Sequence, residues 1–402
     1  MGQITLTTFE DCRDGYRQKS FKQALYDAGG LVMKDSLLTL YGVEHRQRRR
    51  LENRLFRRDV FEHYETKILP PAVEEVLNEH GGGGDIVELA RRITLNLTAT
   101  AAGIDRPLGT AEETAKLYEH VVKFSEGATA LHTTRDPAEL RAEVTASIDE
   151  WDRNFFTPSW ERREALIAGV ADGTVGEAEL PPDVLTTLLV NRGELNMSRE
   201  VVLREVAFYL QAGAHSTTAA ATHAVHEMLD WIDDHPDDRG LLVSDPGHLQ
   251  RFVHESMRLH PTSPVALREA LEPVMLKSGT EINAGDIIQF DLMSANRDVT
   301  VFGSDAAQYN PLRTIPENVD AWGHSFGGGV HKCIAIELDG GVPPEPGSDK
   351  MILLGTVALI VHGVLRRGAR RDPDNLPQAD ETTTRRWWGS YPVVFDPELA
   401  AG

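Results

Sequence analysis

The chain has 402 residues, of which 41% are hydrophobic and 26% charged, the balance of an ordinary globular protein. Its 62 acids against 41 bases give a formal charge of -21, which disfavours nonspecific attraction to nucleic acid or to an anionic membrane. The opening "MGQITLTTFEDCRDGYRQKS" carries acids and no apolar segment, so it reads as neither signal peptide nor anchor, and the longest apolar stretch, "MILLGTVALIVHGVL", has 15 residues, too few to span a bilayer. The two cysteines, Cys12 and Cys333, are too few for a disulfide framework and show no zinc spacing, which suits a reducing, cytoplasmic setting.

Taken in order, the elements are mostly helical. Apolar residues recur at three- and four-residue spacing over 72–79, 86–102, 184–190 and 201–231. "NEHGGGGD" makes a turn after the first of these. The longest helix is predicted over about 198–233, from an N-cap Ser198 to a stop before Pro236, a spine of ~50 Å. "EPVMLKSGTEINAGDIIQFDLMSANRD" breaks the pattern with short β-favouring runs between turns, a small hairpin sheet. The stretch 298–329 is rich in Asn, Asp, Pro and Gly, and a loop of that length in a compact domain is more often functional than idle. "LDGGVPPEPGSDK" reads as a flexible insertion at about 339–349. No internal repeat is visible, and length alone leaves open one large domain or several.

Three stretches invite chemistry. In the spine, "QAGAHSTTAAAT" crowds small residues around His215, Ser216, Thr217 and Thr218, hydroxyls that can bond to carbonyls one turn back and loosen a helix locally. A tight helix crossing accounts for the small residues, and a histidine among them points to an internal site. "HESMRLHP" sets Glu255 and Arg258 three apart on one helix face, a spacing at which a solvated pair is commonplace. "HSFGGGVHKCIA" places Cys333 after three glycines and a histidine. Glycines there would serve a tight turn, the close approach of backbone to a flat ligand, or access of backbone N–H groups to sulfur. A metal thiolate uses all three, whereas a buried cysteine in a turn needs only the first.

Together these stretches resemble the cytochrome P450 family of haem-thiolate monooxygenases, from about residue 21 to the C-terminus. The family's cysteine signature is matched by Phe326, Gly327, Gly329, His331, Cys333 and Ala335, and its Glu-x-x-Arg pair by Glu255 and Arg258. "QYNPLR" resembles the following meander, with Arg313 as third member of a buried ion network, and "SANRDV" the segment before it. "GVEHRQRRR" is similar to the helix that contacts the haem. The resemblance implies a mainly α fold with a small β region, one large domain over 1–402, and haem b (iron protoporphyrin IX) held by the Cys333 thiolate. It implies that the backbone at Phe326, Gly327 and Gly329 lies against the ring and that His45, Arg49, Arg268 and His331 reach the propionates. It also implies oxidation of a small apolar molecule, by hydroxylation, epoxidation or a related reaction, with O2 and two electrons, in a setting such as secondary metabolism.

No cysteine set for an iron–sulfur cluster and no dinucleotide-binding glycine fingerprint after a strand is present, so a separate ferredoxin and ferredoxin reductase are the expected electron donors. The basic runs "RQRRRLENRLFRR" and "LRRGARR" are candidate receiving surfaces, or simply solvated helix faces. The sequence departs from the family pattern in three places. His215 and Ser216 stand where an acid and a threonine usually deliver protons; a histidine there also occurs in the family's sterol demethylases. Only 44 residues precede His45, so the N-terminal region reads as shortened. The helix after Cys333 is interrupted by the insertion. A peroxide-driven or redox-neutral haem-thiolate enzyme and a non-catalytic haem or ligand-binding protein are the competing readings.

Overall fold

The structure, a computed structural model, describes residues 2–343 and 352–400. Its spine is the helix Arg199–Asp234, 36 residues long, capped by the Ser198 side chain, which accepts from the Val201 N–H. Two apolar clusters divide that helix between them. Val202, Val206, Leu210 and Ala214 pack with Leu117, Phe124, Trp151 and Leu185, whereas Ala220, Ala224, Met228 and Ile232 pack with Val73, Ile86, Phe252 and Val361. Residues 215–219 belong to neither cluster, so the middle of the spine is left to face something other than core.

The helix Ile86–Ala102 crosses the spine at that point. A Cβ on Gly213 would stand 2.4 Å from Thr98 Cγ2, the close crossing that the run of small residues announces. Two of the three back-bonds expected there exist: Ser216 Oγ donates to the Ala212 carbonyl at 2.5 Å and Thr218 Oγ1 to that of Ala214 at 2.8 Å, whereas Thr217 Oγ1 turns to Asp339 at 3.1 Å; Thr222 Oγ1 adds a further one to the Thr218 carbonyl at 2.9 Å. They do not open the helix, which stays α-helical throughout. Each hydroxyl takes a second bond from a carbonyl already used by the ladder, and packing on both sides holds the turn.

The β part is a four-stranded sheet. Gln3–Leu6 runs parallel to Ile287–Asp291, which pairs antiparallel with Val265–Ala270, which pairs antiparallel with Phe21–Gln23. Register sets Gln23 opposite Arg268. The strands Gln378–Ala379 and Trp388–Ser390 form a two-stranded hairpin nearer the C-terminus. Its loop is latched to the segment 129–134, with Thr384 N–H donating to the His132 carbonyl at 2.7 Å and Thr134 N–H to that of Thr382 at 3.1 Å.

The predicted break after Cys333 is present. The helix Ile336–Gly340 stops at Gly341, whose φ is +74°, and helix resumes only at Thr356–Arg366. Val342 N–H bonds to the Leu353 carbonyl at 2.7 Å, so the ends of the interruption lie side by side. The part of the insertion from 344 to 349 falls outside the described residues. No described helix is long and apolar enough to cross a membrane.

Candidate active site

Glu255 and Arg258 lie on the helix Pro246–Leu259 and are both buried. Arg258 grips the Glu255 carboxylate with two nitrogens, at 2.8 and 2.6 Å, and gives its third to the carbonyls of Asn296 and Ala306 at 2.5 and 2.7 Å. Arg313 Nε reaches the same carboxylate at 3.3 Å, and the Asn310 N–H at 3.0 Å. The commonplace surface pair is thus a buried network, and it folds the long loop 298–329 around itself. Asn296 continues it to the glycine loop: its amide donates to the Arg258 carbonyl at 3.0 Å and accepts the His324 N–H at 2.7 Å.

The glycines of that loop have different reasons. Gly327 makes the tight turn, its N–H bonded to the His324 carbonyl at 2.8 Å, with φ +66° and open space where a Cβ would stand. Gly329 also has φ +66°, but a Cβ there would come 2.0 Å from the Tyr16 carbonyl oxygen, and a Cβ on Gly328 would meet the Tyr16 ring at 2.8 Å. Gly329, expected to lie against a flat ligand, instead packs on the helix Phe9–Arg17; of the three, only Gly327 opens to the interior. The sulfur of Cys333 receives a backbone N–H from Ala335 rather than from a glycine. Burial pushes the Cys333 thiol up to about 12, with Asp339 adding to the shift. Cys12 is fully buried, its sulfur 3.5 Å from the Leu6 carbonyl.

One cavity gathers the rest. His45, Arg49, Arg268, Phe326, Gly327, His331 and Cys333 line it together with His215 and Ser216, so every site residue foreseen in the sequence except Gly329 meets there. The His45 and His331 rings lie 4.5 Å apart, each with a buried Nε2 that has no partner among the described residues. Burial lowers His45 to about 4 and, with Arg268 beside it, His331 to about 3, so both are neutral at pH 7. Arg268 bonds to Gln23 Oε1 at 2.6 Å and Arg49 to the Lys332 carbonyl at 2.9 Å; neither has a carboxylate partner among the described residues. His215 lies 4.6 Å from the Trp387 ring, and burial followed by the charge of Arg385 lowers its basicity.

Three lining residues escaped the sequence reading. Asp339 accepts from Thr217 Oγ1 at 3.1 Å, and desolvation pushes its carboxyl up to about 7. Arg385 and Trp387 come from the C-terminal hairpin loop, the guanidinium 3.6 Å above the Trp387 ring. Asp339 stands at the edge of the glycine-rich insertion, a position that hinted at a turn, and no motif marked the hairpin.

The family model for cytochrome P450 matches residues 247–336, from the Glu255 helix to just beyond Cys333. A C-19 steroid 1alpha-hydroxylase of Sorangium cellulosum is 23% identical over 327 residues, covering 79% of this chain and 73% of that protein. Over that segment and in its whole fold, the chain is similar to cytochrome P450s. The likeness supports a monooxygenase, an oxidoreductase, and the family it points to uses O2 and redox partners. A self-sufficient cytochrome P450 monooxygenase of Aspergillus terreus is 28% identical over 194 residues, but the chain spans only 18% of its length. The solved structure of P450BioI in complex with an acyl carrier protein matches over 98% of this chain and 92% of the other, with TM-score 0.73 and 17% identity. CYP109E1 from Bacillus megaterium in complex with testosterone matches over 98% and 93%, with TM-score 0.69 and 18% identity.

The family implies a haem-thiolate cofactor, and the site fits one. A half-buried sulfur with a backbone donor, a glycine whose missing side chain leaves space, arginines without a carboxylate partner among the described residues, and unpartnered imidazole nitrogens around one cavity suit a flat metal complex with anionic edges.

Proposed function

We propose that this cytochrome P450 binds haem b and oxidises a small, largely apolar molecule, with two electrons from a ferredoxin and its reductase. One observation supports it above others: Cys333 and the His215–Ser216 pair, 117 residues apart in the chain (333 less 216), line the same cavity. Cys333 would ligate the iron, and His45, Arg49, Arg268 and His331 would hold the propionates. Bound there, the haem supplies a thiolate-ligated iron at which dioxygen is activated.

The remaining roles belong to the chain. His215, neutral at pH 7, can accept a proton on one nitrogen while giving one from the other. Ser216 commits its hydrogen to the Ala212 carbonyl and keeps lone pairs to order a water. The reaction consumes two protons with its two electrons and yields one water, and these two side chains are where protons enter. Ala101, Ala212, Leu97 and Phe208 give the cavity apolar walls, which suit an apolar substrate and exclude bulk water.

The two basic runs differ as docking surfaces. In 365–371, Arg366 and Arg367 pair with Glu74, and Arg371 with Asp230 and Asp233. In the first run Arg48 is buried against Glu52 and Glu205, but Arg46, Arg50 and Arg54 are exposed with no acid partner among the described residues. That face adjoins Cys333 through the Arg49–Lys332 bond and suits an acidic ferredoxin. Residues 1–402 would act as one domain, in the cytoplasm.

The test is turnover of a bound substrate with a ferredoxin and reductase system against peroxide alone. Product formed only with the electron donors supports the proposal; equal turnover by peroxide favours the peroxide-driven alternative, and oxygen uptake indifferent to every bound ligand favours a non-catalytic binding protein.

A further inference from the structure

Arg385 is the cation that the haem reading does not use. It projects from the hairpin loop into the cavity, fixed by its stack on Trp387 and by bonds from Nη2 to Thr129 Oγ1 at 2.8 Å and from Nε to Thr383 Oγ1 at 3.3 Å. Nη1 has no hydrogen bond, and no acid lies within ion-pair distance among the described residues. Asp380, on the same loop, is turned to Thr382, accepting from its N–H and hydroxyl at 2.9 and 2.6 Å.

Two donors stand with it. His132 is buried, lines the cavity, and carries an Nε2 without a partner, its Nδ1 being 3.3 Å from Thr384 Oγ1. Tyr26 also lines the cavity, and its hydroxyl makes no hydrogen bond to the described residues. The electrostatics separate this group from the other arginines. His331 feels Arg268 and Arg49, whereas His132 and His215 feel Arg385, and Tyr26, between the two groups, feels Arg385 first and Arg268 next. Desolvation lowers even the Arg385 guanidinium, to about 10, and outweighs the opposing pull of Tyr26 and Asp380, the mark of a cation held out of water without an ion-pair partner.

We propose that Arg385, Tyr26 and His132 form an anion subsite in the cavity, and that the substrate carries a carboxylate on an otherwise apolar body. The charge count favours a carboxylate over a phosphate dianion: burial lowers His132 to about 4, so the subsite offers one positive charge and two neutral donors. A planar guanidinium braced from behind by an indole matches a planar carboxylate. The inference deepens the proposed function and rests on it for the chemistry, though not for the binding.

The test uses haem-loaded protein and a panel of carboxylic acids from hexanoic to hexadecanoic, with aromatic members, each paired with its methyl ester. Affinity is read by equilibrium dialysis, which needs no haem signal, and separately by the haem spectral shift. At least one acid should bind roughly ten- to a hundred-fold tighter than its ester. Arg385→Gln should erase that preference, leave ester binding and haem content in place, and Arg385→Lys should restore part of it; Tyr26→Phe should weaken the acid alone. The proposal is overturned if no acid outbinds its ester, if Arg385→Gln keeps the preference, or if Arg385→Gln loses haem, which would assign Arg385 to the cofactor. It is also overturned if a phosphate monoester outcompetes every acid. Loss of the haem-thiolate reading would appear instead in the spectrum of the reduced, carbon-monoxide-bound protein, with the dialysis result unaffected.

Discussion

Asn296 accepts the His324 N–H at 2.7 Å while its own amide reaches the Arg258 carbonyl at 3.0 Å and the Ser325 hydroxyl at 3.0 Å. One side chain therefore ties the ion-network helix to the start of the glycine loop. Asn296→Ala would leave buried groups unpaired on both, at about 1–3 kcal/mol for each. The variant should melt several degrees lower and lose haem faster in transfer to a scavenging apoprotein; an unchanged loss rate would show that the loop holds itself.

Arg258 is fully buried and Glu255 nearly so, so removing either strands the other. Arg258→Ala should cost ~3–5 kcal/mol and yield little folded, haem-loaded protein. Recovery with full haem content and an unchanged Tm would contradict the bracing role. Arg313→Ala should be milder, since Arg258 still neutralises Glu255.

Cys333 and Cys12 make a paired comparison. Reduced, carbon-monoxide-bound protein should show the strongly red-shifted Soret band of thiolate ligation. Cys333→His should lose it and Cys12→Ser should keep it, because Cys12 sits in the small sheet cluster with Leu6, Phe21 and Phe290. Retention of the band in Cys333→His would end the ligand assignment.

His215→Ala should bind substrate with a similar spectral shift but convert less of its consumed electron donor into product, releasing more hydrogen peroxide. Ser216→Ala should do the same less severely, since a water can replace the hydroxyl. A product-to-donor ratio unaltered in His215→Ala, with only Tm lowered, would leave the imidazole as packing against Trp387.

Asp339 has a folded-state pKa near 7, above the ordinary carboxylate value of about 4. The folded state therefore holds this proton more tightly than the unfolded chain does. The favourable contribution is complete below about pH 4 and is lost as pH rises towards and through 7. Asp339→Asn should accordingly raise Tm relative to the parent at pH 8, with the difference shrinking towards pH 4. A constant difference across that range would mean the carboxyl is ionised throughout.

The sequence showed most clearly the parts whose chemistry is local. Ser198 as N-cap and the small residues around Gly213 follow from spacing along one element, and both stand where they were expected; the buried network of Glu255, Arg258 and Arg313 came from the family resemblance, since spacing alone offered only a solvated pair. Gly329 shows the limit: a demand for glycine there was readable, but the atom that excludes a side chain is the Tyr16 carbonyl oxygen, which belongs to a helix over 300 residues earlier and not to a flat ligand. Arg385 and Trp387 were invisible for the same reason. Strands of two and three residues on either side of a loop have no readable periodicity, and what makes Arg385 a site residue is the latch between its loop and His132. The back-bonding hydroxyls of Ser216 and Thr218 were foreseen, that of Thr217 turns to Asp339 instead, and their loosening effect was overstated, because packing from both sides outweighs a local competitor for carbonyls.

The contact of Gly328 and Gly329 with Tyr16, and that of His324 Nε2 with the Phe9 carbonyl across 315 positions, impose an order on biogenesis. At ~5–20 residues per second of synthesis, the segment around Phe9 waits for on the order of 15–60 s before the stretch it must brace exists. Until then Phe9 and Tyr16 lack the His324 ring and the glycine loop that they pack against in the folded protein. Cofactor capture by the glycine loop therefore waits until two stretches 315 positions apart have met.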